Sequence, residues 1–146
     1  MQVKQLSLTM PDGADLLSGL AATLAGHGIN IITLYYVEDV GEGGSNRLQL
    51  LVNDPDKAGQ LLNEAGFAVE VSQVVVVEIP DKPGGLAWLM QIIRELQLTF
   101  RSLHVFSHRT GERALIDIAF REPEQAALLL NKARVKVLSA EELLAR

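Results

Sequence analysis

Asp81-Lys82-Pro83-Gly84-Gly85 sets a carboxylate, a cation and two glycines between a valine-rich run and an apolar segment of helical period. Such a turn has two readings. It is plain turn chemistry, in which proline presets φ, glycine admits unusual dihedrals and aspartate bonds nearby backbone. Or it holds a small charged molecule. The unpaired N–H groups and partial positive charge at a helix start suit a carboxylate. Asp81 suits an ammonium, and Gly84 and Gly85 let a ligand approach the backbone closely. An earlier stretch, Asp12-Gly13-Ala14-Asp15, stands in the same setting without the Pro-Gly. Asn30, two residues after Gly28, can serve either ligand group or simply local backbone.

Other constellations are sparse. The histidines are His27, His104 and His108, and the last two, on one face of a strand, stand roughly 13 Å apart, too far to share a metal. There is no cysteine, hence no disulfide or thiolate site. No glycine-rich phosphate loop before a helix, no nucleophile elbow and no His/carboxylate set at catalytic spacing is present. A non-enzyme without cofactor or metal is expected. "GEGGSN" precedes a strand, the wrong context for a phosphate cradle, and Glu38, Asp39 and Glu42 beside it read as a solvated loop.

The formal charge is −5, and the 13 Lys and Arg form no cluster, which argues against nucleic acid. No apolar run approaches the roughly 20 residues of a membrane helix. "MQVKQLSLTM" lacks a basic region followed by an apolar one, so no secretory leader and a cytoplasmic location are expected.

The elements that must position these residues come as a duplication. Pro11 and Pro80, Asp12 and Asp81, Leu17 and Leu86, Leu20 and Leu89, and Leu34 and Leu103 all stand 69 residues apart. Further on, Pro55 and Pro123, Ala58 and Ala126, and Leu61-Leu62-Asn63 and Leu129-Leu130-Asn131 stand 68 apart. The one-residue slip falls between the blocks, where "VEDVGEGGSN" and "SHRTGE" read as loops.

Each half has one order of elements. "VKQLSLTM" and "QVVVVEI" read as strands. Leu17, Leu20, Ala21 and Leu24, and Leu86, Leu89, Met90 and Ile93, mark helices by their i, i+3, i+4, i+7 spacing. "INIITLYYVED" and "LTFRSLHVFSH" return as strands, turning through Gly-containing loops into "RLQLLVND" and "RALIDIAF". Asp54-Pro55 and Glu122-Pro123 open second helices, and "FAVEV" and "VKVLS" close as short strands. Ser139 with Glu142 forms a capping box for a final turn. The expected fold is α+β: two tandem ferredoxin-like βαββαβ units with antiparallel four-stranded sheets, residues 1–72 and 73–146. The joining stretch "EVSQVVVVEI" has no Gly, Pro or spacer. Trp88, off its helix's apolar stripe, reads either as an outward-facing interface anchor or as a ring folded over its own sheet edge.

"VVVVEIPDKPGGLAWLMQII", with a strand, a hairpin and a second helix after it, resembles the ACT domain, a small ligand-binding regulatory module. Asp81-Lys82-Pro83-Gly84 matches its Asp-x-Pro-Gly turn, and "GHGINI", Gly26 to Ile31, is similar to its stretch at the end of the first helix. The resemblance covers the chain as two copies. It implies a regulatory sensor of an amino acid or related metabolite, bound at a domain or subunit interface, with an enzyme or a transporter as the regulated partner. Carried over, the ligand contacts are Asp12, Gly13, Ala14, Asp15, Asn30 and Ile31 in one copy, and Asp81, Lys82, Pro83, Gly84, Gly85, Thr99 and Phe100 in the other. Uncovered sheet edges lead us to expect a homodimer; a ligand-free assembly module is the alternative.

Overall fold

A computed structural model describes residues 2–10, 14–38, 46–107 and 112–145. The chain divides into two compact units, Lys4–Ser72, and Gln73–Arg146 with Met1–Val3.

The first unit contains β1 (Val3–Met10), α1 (Ala14–Gly26), β2 (Ile31–Val37), β3 (Asn46–Val52) and α2 (Pro55–Glu64). β3 lies between β1 and β2, antiparallel to both. Alternation along the strands turns Leu6, Leu8 and Met10 of β1 and Leu48, Leu50 and Val52 of β3 to one face. There they pack against Leu20 and Leu24 of α1 and Ala58 and Leu62 of α2. The closing strand of this half is not a separate element. Residues 70–72 begin β4 (Glu70–Pro80), an eleven-residue strand that runs on into the second unit. With neither glycine nor proline before its last position, nothing in "EVSQVVVVEI" breaks the extended backbone.

The second unit continues with α3 (Gly85–Glu95), β5 (Phe100–Ser107), β6 (Arg113–Phe120), α4 (Pro123–Lys132), β7 (Lys136–Leu138) and α5 (Ala140–Leu144). Its strand order is β7-β4-β6-β5, antiparallel throughout, the ferredoxin-like arrangement. Val75, Val77 and Ile79, Ile116, Ile118 and Phe120 face Leu89, Ile93, Ala126 and Leu130.

The duplication extends to register. Leu6 lies opposite Leu50 and Leu8 opposite Leu48; Val75 and Val77 meet Ile118 and Ile116 in the same way. The irregularity in β2 between Ile31 and Thr33 recurs in β5 between Phe100 and Ser102. Asp54 caps α2 through the Lys57 N–H at 3.1 Å, and Ser139 and Glu142 close the capping box of α5.

One helical stripe differs from its expectation. The buried residues of α3 are Gly85, Leu89 and Ile93, at a spacing of four, and Leu86 is 42 % exposed. A glycine, not a leucine, starts the inner face: a Cβ at Gly85 would meet the Pro80 carbonyl oxygen. The backbone of α3 therefore sits directly on the end of β4, and Leu86 is turned away.

Candidate functional site

The α3 turn forms one wall of a cavity of about 450 Å³. Pro80 ends β4, and the Asp81 N–H donates to the Glu112 carbonyl at 3.0 Å, tying the turn to the start of β6. Gly84 takes the N-cap position at φ 93°, a left-handed conformation that other residues adopt at a penalty, and it has no side chain to cap the helix. Lys82, Pro83, Gly84, Gly85 and Trp88 line the cavity, and Trp88 is 43 % exposed. Opposite them stand Glu78 of β4, Arg113 of β6, and Arg134 and Lys136 at the entry to β7.

Of the positions expected from the second copy, Lys82, Pro83, Gly84 and Gly85 come together here. Asp81 is not in the cavity wall; its backbone serves the β4–β6 connection. Thr99 and Phe100 lie elsewhere. Phe100 pairs with Phe120 at the far end of β6 from Arg113, roughly 23 Å away at strand rise. Its ring meets Phe120 edge-on, centroids 6.4 Å apart, and packs on the core, while Thr99 is exposed and its carbonyl accepts from the Arg121 N–H.

In the first copy, Asp12 and Gly13 lie outside the described residues, and Ala14 and Asp15 open α1. Ile31 packs on the core. Asn30 is exposed, and a residue that the sequence did not single out holds its backbone. Asn53 Oδ1 accepts from the Asn30 N–H at 2.8 Å, the Asn53 N–H donates to the Asn30 carbonyl, and its side-chain amide reaches the Gly28 carbonyl at 3.4 Å. Lys57 Nζ donates to the His27 carbonyl at 2.8 Å, completing the turn after α1.

The cationic wall was also missed. Lys82, Arg113, Arg134 and Lys136 are scattered in sequence, and only the sheet order gathers them. A His/carboxylate pair is likewise made by the fold: His104 Nδ1 lies 3.0 Å from Asp117 Oδ1 across β5 and β6. Asp117 is buried, and that burial pushes its carboxyl above the ordinary range while the hydrogen bond and charge of His104 oppose the rise. The available signal was an aspartate in the middle of an apolar run, "ALIDIAF".

An ACT domain pair matches residues 1–145, so the chain belongs to that family. Among solved structures, it is similar to a protein from Bacteroides thetaiotaomicron at 26% identity and a TM-score of 0.89, covering 98% of this chain and 96% of that one. The regulatory subunit of aspartate kinase from Thermus flavus shares the fold at 15% identity and a TM-score of 0.65, with 89% and 88% covered. That from Thermus thermophilus does so at 16% identity and 0.63, with 89% and 91% covered. No curated protein matches the chain by sequence. No helix among the described residues is long and apolar enough to cross a membrane.

Proposed function

We propose that the chain is a non-catalytic regulatory sensor whose ligand, an amino acid or related small metabolite, binds at the α3 turn. The observation that carries this reading is the cavity of about 450 Å³ walled by Lys82, Pro83, Gly84 and Gly85, the segment for which the resemblance implied ligand contact. Its size suits a small molecule. Membership of the ACT domain pair family supports a sensing role, and the fold shared with regulatory subunits of aspartate kinase accords with an enzyme as the regulated partner.

Thr99 and Phe100 lie too far from the turn for one ligand to touch both within a unit, so a contact to them would come from a ligand seated against a second copy of the chain. A homodimer follows from this reading. Thermal shift and calorimetry with a panel of amino acids test it; saturating ligand at about 100 times its Kd stabilises by about 2.7 kcal/mol. A panel that leaves the melting temperature unmoved and releases no heat removes the sensor reading. Light scattering that finds a monomer at micromolar concentration removes the dimer.

The second reading, a ligand-free assembly module, is favoured by β2. This strand pairs only with β3 among the described strands, and Leu34 and Val37 on it are 41 % and 36 % exposed. An open strand edge with apolar side chains is a template for another chain. Recovery of a stable protein partner from native extract, together with silence across the ligand panel, distinguishes this reading from the first.

A further inference from the structure

Four cations share one cavity in a chain whose acidic residues outnumber its basic ones, 18 to 13. Lys82 comes from the turn before α3. Arg113 starts β6, opposite Pro80, and Lys136 starts β7, opposite Glu78. Arg134 stands two residues before it. Lys82, Arg113 and Arg134 make no ion pair among the described residues, and Lys136 reaches Glu142 at 3.7 Å in an exposed pair. Among the described residues, Glu78 is the single carboxylate in the wall.

The duplication shows that the fold does not require these charges. At the repeat spacing, Lys82, Arg113, Arg134 and Lys136 correspond to Gly13, Ser45, Gly66 and Ala68. Each cation of the second copy stands where the first has a small neutral residue. Arg134 is the sharpest case. Its φ is 65° and that of Gly66 is 98°, so both take the left-handed conformation that ends the preceding helix. In each, the N–H donates to an asparagine carbonyl three residues back, Asn131 or Asn63. Glycine takes that conformation without strain, whereas arginine takes it against the clash of its Cβ. Gln97 takes the same conformation away from the cavity, so the strain alone does not mark a site; what sets Arg134 apart is that it puts a cation on a cavity lined by three others.

We infer that this cavity binds a small molecule with at least two acidic groups, a dicarboxylate or a phosphorylated metabolite, in preference to a zwitterion. The inference rests on the reading of the α3 turn as a ligand site and names the chemistry of that ligand. Glu78 and Glu142 offset two of the four positive charges, leaving two for the ligand to meet. A simple amino acid brings one carboxylate and an ammonium that the remaining cations repel. Arg113 and Arg134 present guanidinium forks that match carboxylate or phosphate oxygens in pairs, and Lys82 adds a mobile point charge.

Calorimetry on the whole chain with succinate, pyrophosphate, glycine, L-leucine and a short single-stranded oligonucleotide tests the inference. Succinate or pyrophosphate is expected to bind, more weakly at high salt, and glycine and leucine are not. Whichever dianion binds identifies the acidic group. Arg134→Gly is expected to weaken that binding about tenfold or more, the loss of a charge-assisted contact, without lowering the melting temperature; Lys82→Ala is expected to weaken it similarly. Binding of glycine or leucine alone overturns this inference and leaves the sensor reading standing. Silence from all five probes, with a silent amino-acid panel, removes both. Dianion binding unchanged in both variants overturns the assignment to this cavity, and an oligonucleotide bound more tightly than either dianion overturns the small-molecule class.

Discussion

His104 and Asp117 face each other across β5 and β6, Nδ1 to Oδ1 at 3.0 Å, at the positions that Tyr35 and Gln49 hold in the first unit. One duplicated register thus carries a neutral pair in one copy and a titratable pair in the other. The Asp117 carboxyl is raised above its ordinary value, chiefly by burial. A carboxyl raised in the folded state holds its proton more tightly there than in the unfolded chain. Its contribution to stability is complete below the ordinary carboxylate pKa and is lost as pH rises through the folded value. Asp117→Asn keeps a polar group beside His104 and removes this loss. The melting temperature of the variant relative to the parent is expected to climb as pH rises from about 4, each unit of raised pKa corresponding to about 1.4 kcal/mol. A difference that stays flat with pH would count against the assignment.

Gly85 and Gly84 are adjacent but are held by different constraints. A side chain at Gly85 collides with the Pro80 carbonyl, whereas one at Gly84 meets open space but must adopt φ 93°. Gly85→Ala is expected to destabilise by about 1–3 kcal/mol, as overpacking does, and Gly84→Ala by about 1–2 kcal/mol, the left-handed penalty of a residue with a Cβ. Chemical denaturation of the two variants checks the order; a harmless Gly85→Ala would mean that α3 is free to move off β4.

Left-handed positions give a reciprocal set. Gly28 and Gly66 are occupied in the second copy by Gln97 and Arg134, at φ 57° and 65°. Gly28→Ala and Gly66→Ala are expected to lose about 1 kcal/mol each, while Gln97→Gly and Arg134→Gly leave stability level or raised by up to about 1 kcal/mol. Denaturation midpoints of the four variants decide this; loss of stability in both glycine replacements of the second copy would show those residues making contacts that outweigh their strain.

Asn53 holds the turn after α1 by three hydrogen bonds. One of these uses its backbone, so Asn53→Ala removes the other two and leaves the Asn30 N–H without its acceptor. A loss of about 0.5–1.5 kcal/mol is expected, with faster amide exchange at Asn30 as the local readout. Unchanged exchange there would mean that water replaces Asn53 fully.

Much of the fold was legible because it was written twice. Pro55 with Asp54, Pro123 with Glu122 and the Ser139–Glu142 box are local signals, and each stands where its chemistry required. Leu86 was misplaced because an amphipathic count scores only side chains. The inner face of α3 begins with Gly85, whose value lies in the atom it lacks. The candidate site was half legible: Lys82 to Gly85 were visible as a turn, but Arg113, Arg134 and Lys136 are 31 to 54 positions further along the chain than Lys82. Their meeting is a product of sheet order, which carries β6 and β7 to either side of β4. The same holds for Asp117, which nothing local joins to His104.

Duplication also makes the chain its own control. A residue changed in one copy has a structural counterpart in the same molecule, at the same concentration and in the same buffer. The left-handed turn at Gly66 reports what that backbone geometry does unloaded, and the same turn at Arg134 reports what it does carrying a charge. Subtracting one from the other separates the demands of architecture from those of recognition without recourse to any second protein.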